Sequence, residues 1–305
     1  MIGRKYGGWV FTFLFLIMFW PVPAALGQGT VGYDIPADQT AYTNPGAVSA
    51  EQVLGDNGVV ADVYGVYSDH ALDTFENTGT GIIGALGQTG NNTVASSSIY
   101  PYNIYGAYLY GGNIFTNAGA INSITTAGDA VADSSQVYPY EIYGVYFSSQ
   151  KVNNFTNSGT ITAAASAGNA LGSGAYVDAY NLYGAYFSYG AGSFNNSGEI
   201  SASAVSGNAV GDNSSAYADY AYGVYFSEKA DAFANSGKIT AGALTGDATG
   251  SGAYLYAYDV YGAYFYYGTD SFTNTGEIGS IAAVGNVNNN YGYAYYVYGV
   301  YSNDY

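Results

Sequence analysis

The chain has 305 residues, a formal charge of −17 and a composition that is 49% hydrophobic but only 9% charged. With five Lys and Arg against 22 Asp and Glu, it lacks the clustered cations that release counterions from phosphate, which excludes nucleic acid as a partner and disfavours anionic lipid surfaces. The absence of cysteine excludes disulfides, thiolate metal sites and cysteine nucleophiles, while the hydrophobic fraction is enough to bury a core.

The first element in chain order is a leader. Arg4 and Lys5 precede an apolar run from Trp9 to Trp20, interrupted by Thr12 and ended by Pro21 and Pro23. A spanning helix needs about 20 apolar residues, so the pattern predicts a secretory signal peptide over residues 1–27, with Ala25 three positions before the cut after Gly27. Its removal leaves 3 basic residues against 22 acidic ones, a charge of −19. Residues 28–60 are expected to form an irregular N-terminal cap, and residues 61–305 a repeat domain.

Self-comparison exposes the repeat. Tyr-Gly-(Val/Ala)-Tyr begins at Tyr64, Tyr105, Tyr143, Tyr183, Tyr222, Tyr261 and Tyr298, at intervals of 37 to 41 residues. Phe-x-Asn-x-Gly begins at Phe75, Phe115, Phe155, Phe194, Phe233 and Phe272, always ten to twelve residues later. Tyrosine, valine, threonine and glycine dominate where a helical repeat would carry Leu, Glu, Lys and Arg, so the units are strands. Runs such as Glu199-Ile-Ser-Ala-Ser-Ala-Val are bounded by turn formers. A propeller would need hairpin turns that the sequence lacks.

The fold expected is an all-β, right-handed parallel β-helix (β-solenoid) of about six to seven 39-residue repeats, with two coils of about 20 and 19 residues in each. Stacked coils place equivalent residues in columns, and about twelve rungs at ~4.8 Å predict a rod near 58 Å long. Val63, Ile104, Ile142, Leu182, Ala221, Val260 and Val297 should point inward, and the residue before each should point outward. The glycine of Tyr-Gly should sit at a bend. Asn77, Asn117, Asn157, Asn196, Asn235 and Asn274 are expected to form a structural ladder of stacked amides, a role preferred to ligand binding.

Repeats such as Phe155-Thr-Asn-Ser-Gly-Thr-Ile-Thr-Ala, interleaved with Ala-Tyr-Gly-Val-Tyr, resemble the β-helical passenger domains of bacterial autotransporters and related haemagglutinin-like surface proteins. The likeness covers most of residues 61–305. It implies secretion, display at the outer surface and, frequently, adhesion. The C-terminal translocator barrel of that family is missing from this sequence.

The chemistry of catalysis is sparse. Polysaccharide lyases need a basic residue and uronate-neutralising cations, and no arginine follows the leader. Hydrolases need two carboxylates held several ångströms apart, one of them protonated, whereas the carboxylates here fall singly at loop positions with no adjacent Asp-Asp pair. His70, beside Asp69 and near Asp73 and several serines, allows a triad to be imagined but reads as a polar surface residue. Asp129, Asp133, Asp212, Asp247 and Asn169 lie on comparable Gly-rich turns. One carboxylate per turn gives too few oxygens for calcium, so these read as solubilising acids. No catalytic residue, metal ligand or cofactor is assigned.

The function expected is that of a non-enzymatic, secreted or surface-displayed structural or adhesive repeat protein, extracellular or at the bacterial cell surface or outer membrane. The alternative is a β-helical carbohydrate-active enzyme that hydrolyses glycans. The binding surface expected is the column Tyr67, Tyr108, Tyr146, Tyr186, Tyr225, Tyr264 and Tyr301, whose phenol rings could stack on sugars. The partners expected are a glycan or cell-surface receptor and, through Tyr291 to Tyr305, further copies of the chain joined end to end.

Overall fold

The computed structural model describes residues 29–288 and 290–303, so the predicted leader lies outside the described residues. The described elements are strands, in three parallel sheets. A tyrosine sheet comprises Thr30–Asp34, Val63–Ser68, Ile104–Leu109, Tyr140–Phe147, Tyr176–Phe187, Ser215–Phe226, Tyr254–Phe265 and Tyr291–Ser302, with the short strands Ser98–Ile99 and Gln136–Val137 beside it. A phenylalanine sheet comprises Ala41–Asn44, Leu72–Asn77, Gly112–Asn117, Val152–Asn157, Ala191–Asn196, Ala230–Asn235 and Thr269–Asn274. An alanine sheet comprises Ala47–Val53, Ile82–Gln88, Ala120–Thr126, Thr160–Ala167, Glu199–Ser206, Lys238–Thr245 and Glu277–Ala283.

Each strand pairs with its counterpart one repeat away: Tyr105 with Tyr143, Phe115 with Phe155 and Ile121 with Ile161. One repeat is therefore one full turn, and the chain is a β-solenoid of about seven turns. This corrects the expected two coils per repeat. The stretch assigned to a second coil is the alanine wall of the same turn, paired to its own equivalents and not to the half-repeat before it. At ~4.8 Å per turn, seven turns make a rod of about 34 Å, not 58 Å. Residues 30–53, expected within an irregular cap, make the first of these turns, with Val31 beside Tyr64, Tyr42 beside Phe75 and Val48 beside Ile83.

The core follows from the strand alternation. Val63, Ile104, Ile142, Leu182, Ala221 and Val260 are fully buried. Phe75, Phe115, Phe155, Phe194 and Phe233 stack with ring centroids 4.8 to 5.0 Å apart. Phe147, Phe187, Phe226 and Phe265 form a second column that meets the first edge to face, as ring quadrupoles favour. The alanine sheet presents Ala163, Ala202 and Ala241 to the interior, in one buried cluster with Ile142, Leu182 and Ala221.

Each long tyrosine strand shifts its alternation twice. The first shift lies at Glu141, Asn181, Tyr220, Asp259 and Tyr296, all left-handed with φ between 52° and 59°. Here the wall bends. The second lies at the glycine of Tyr-Gly, which is not the bend expected of it but a close approach. A Cβ on Gly184 would stand 2.5 Å from the Gly223 carbonyl oxygen and 2.6 Å from Ile200 Cγ2 of the alanine sheet.

Candidate binding surface

Tyr67, Tyr108, Tyr146, Tyr186, Tyr225, Tyr264 and Tyr301 occupy one register position and form a half-buried column on the outer face of the tyrosine sheet. A deeper column, Tyr64, Tyr105, Tyr143, Tyr183, Tyr222, Tyr261 and Tyr298, stacks nearly parallel at 5.0 to 5.4 Å. The outer rings lean edge-on against it, as Tyr186 does on Tyr183 at 4.9 Å. Within the outer column Tyr186, Tyr225 and Tyr264 are also stacked, at 5.0 and 4.9 Å. Their faces are thus taken by one another, and the column offers ring edges and hydroxyls. Tyr186 Oη lies 2.8 Å from Ser227 Oγ, and Ser188 Oγ donates to Tyr146 Oη at 3.3 Å.

Burial raises the phenol pKa of Tyr64, Tyr105, Tyr143, Tyr183, Tyr222 and Tyr261 in the deeper column. Desolvation dominates for Tyr143 and Tyr183, and the neighbouring phenols and Glu141 add to it. The outer face continues through Tyr217, Tyr256 and Tyr293 in one register position and Tyr180, Tyr258 and Tyr295 in another. Two carboxyls interrupt these columns: Asp178 takes the first position and Asp219 the second. They stand diagonally across adjacent strands on one face, 4% and 1% exposed. The sequence lacks an adjacent pair, but the register creates one.

Asn77, Asn117, Asn157, Asn196, Asn235 and Asn274 lie in one column with Asn44 before them. Each Nδ2 donates to the Oδ1 of the next at 2.7 to 2.8 Å. The same Nδ2 groups reach backbone carbonyls of the next turn, as Asn157 does to Glu199 O at 3.2 Å. From Asn44 to Asn235 these amides are buried and mutually engaged, leaving no group for a ligand.

The turn acids make another ladder that the sequence reading missed. The side-chain oxygens of Asp56, Asn91, Asp129, Asn169, Asn208 and Asp247 each accept the backbone N–H of the equivalent residue one turn on, at 2.6 to 2.8 Å. Asp133 and Asp212 accept from Ser173 and Ser251 in the same manner. A mixed Asp/Asn pattern at the turns was the available signal. Among the described residues no three His, Cys, Asp or Glu converge.

His70 Nε2 lies 2.9 Å from the Gln39 carbonyl oxygen and donates to it, and Nδ1 faces Asp69 Oδ1 at 3.2 Å. The Gln39 carbonyl raises the imidazole pKa most, desolvation opposes it, and Asp69 adds a smaller rise. Ser68 Oγ donates to the His70 carbonyl at 2.9 Å and lies 3.4 Å from His70 Nδ1, so backbone takes the hydroxyl proton in this arrangement. Asp73 lies apart, in contact with Asn113.

Comparison with protein-family models, with curated proteins and with solved structures gives no significant match.

Proposed function

We propose that the chain is a non-enzymatic structural and adhesive repeat protein, secreted or displayed at a bacterial cell surface in the manner of an autotransporter passenger. The observation that carries this reading is the uninterrupted outer tyrosine column, repeated in every turn from Tyr67 to Tyr301. A row of wet phenol edges on a rigid, self-stacked wall has little conformational entropy to lose on contact. Such a wall suits a glycan or cell-surface receptor engaged along the rod. The resemblance noted in the repeats supports the surface location, and the predicted leader supports export.

The test replaces Tyr146, Tyr186 and Tyr225 together by Thr and measures attachment to cells and glycan arrays, with circular dichroism confirming the fold. Loss of most attachment in a folded variant is the expected result. Unchanged attachment would leave the column purely structural.

A further inference from the structure

A groove of about 550 Å³ opens at the corner between the tyrosine and phenylalanine sheets, lined among others by Asp73, Asn113, Gln150, Lys151, Asn153 and Tyr189. Gly112 lines it, and Gly111 and Gly190 lie next to lining residues in the chain. Gly111 and Gly190 are left-handed, with φ of 142° and 72°, and a Cβ on Gly112 would meet the Leu72 carbonyl oxygen at 2.2 Å. On the floor, Asp73, Asn113 and Asn153 stand at one position in successive turns. Asn113 Nδ2 donates to Asp73 Oδ1 at 3.1 Å, and Asn153 Nδ2 donates to Asn113 Oδ1 at 2.8 Å.

The row ends where Gly192 takes the next position, and Lys151 reaches across that gap to Asp231 Oδ1 at 2.7 Å. Tyr189 stands at the rim, 52% exposed. Unlike the tyrosines of the columns, it has no aromatic ring against it among the described residues.

We propose that this groove is a binding site for a neutral oligosaccharide. Asp73 Oδ2, Asn153 Oδ1 and the second N–H of each amide remain for a ligand, an alternation of acceptors and donors that matches vicinal hydroxyls. The floor repeats at the strand spacing, ~4.8 Å, close to the advance of one pyranose ring along an extended chain. Tyr189 offers an aromatic face to the C–H side of a sugar while its hydroxyl stays wet. Lys151 is matched by Asp231, so Asp73 leaves the floor negative and selects against uronates and sialylated sugars. The inference deepens the adhesive reading and rests on it only in that the chain meets glycans; its residues are separate from the outer tyrosine column.

The test titrates the full chain with maltohexaose, cellohexaose and chitohexaose by calorimetry. At least one should bind with a Kd near or below about 1 mM, and Tyr189→Ala should weaken it roughly tenfold or more. Asn113→Ala with Asn153→Ala should remove binding, whereas the Tyr146, Tyr186 and Tyr225 triple variant should bind as the parent does. Failure of all three sugars to bind at ~10 mM, or binding untouched by Tyr189→Ala, overturns the site. If the triple variant loses cell attachment but keeps the sugar, both readings stand. If it loses the sugar while Tyr189→Ala does not, the column binds and the groove does not.

Discussion

Asp178 and Asp219 lie within hydrogen-bonding reach of each other on adjacent turns, with Tyr176 Oη donating to Asp178 Oδ2 at 2.7 Å and Tyr258 within reach of Asp219. Oδ1 of each is buried and unpartnered. Burial raises both carboxyl pKa values, and for Asp219 the charge of Asp178 raises it further. The pair therefore retains a proton well above the ordinary aspartate range.

Because the folded pKa values are raised, the native pair binds more protons than the unfolded chain, so its contribution is complete below the unfolded aspartate range and is lost as pH rises through the folded values. Asp219→Asn removes the second ionisation while keeping the shape. It should stabilise the protein at pH ~8 by about 1–3 kcal/mol and change little at pH ~4. Urea unfolding of both proteins at the two pH values checks this; equal differences at both would contradict a shared proton.

The deeper tyrosine column makes a second titration prediction. Desolvation raises Tyr143 and Tyr183 well above an ordinary phenol, so their contribution to stability is present below the unfolded tyrosine pKa and declines as pH rises above it. Near-ultraviolet absorbance during alkaline titration should show exposed phenols ionising first and the column only as the fold is lost. A single transition at the ordinary tyrosine pKa, with circular dichroism unchanged, would show that the column is wet.

The asparagine ladder predicts a steep dependence on position. Asn157 accepts from Asn117 and donates to Asn196 and to the Glu199 carbonyl. Asn157→Ala strips partners from buried groups above and below and should cost about 3 kcal/mol or more. Asn274 is exposed on the last described turn, and Asn274→Ala should cost under ~1 kcal/mol. Thermal melts of the two variants give the comparison, and similar melting temperatures would mean that the ladder is not cooperative.

The columns were legible because a repeat interval and a strand register are the same quantity once the stack is parallel. The spacing from Tyr105 to Tyr143 is also the pairing of Tyr105 with Tyr143. The number of walls per turn was not legible. It depends on where the chain bends, and the bending residues, Glu141, Asn181, Tyr220, Asp259 and Tyr296, share a backbone conformation but no side-chain type. The same lack of register hid the carboxyl pair. Asp178 pairs with Tyr217, and only that alignment places Asp219 diagonally beside it on one face. That Tyr189 has no stacking partner among the described residues was equally hidden, since the sequence shows many tyrosines but not which of them stack.

Glycine has two uses in this fold, and they separate cleanly. Gly184 brings the tyrosine wall against the alanine wall, where an added Cβ would meet the Gly223 carbonyl at 2.5 Å and Ile200 Cγ2 at 2.6 Å. Relief would require moving two strands of adjacent turns, because the nearest obstacle is backbone, so Gly184→Ala should destabilise by about 3 kcal/mol or more. Gly84 faces outward, where the nearest atom to an added Cβ is Ser49 Cβ at 3.6 Å. Gly84→Ala should be neutral or slightly stabilising, because alanine restricts the unfolded chain. Urea midpoints for the two variants test the contrast. A mild effect at Gly184 would mean that the walls can separate locally, and the close packing of the Tyr-Gly position would then not be what holds the turn shape.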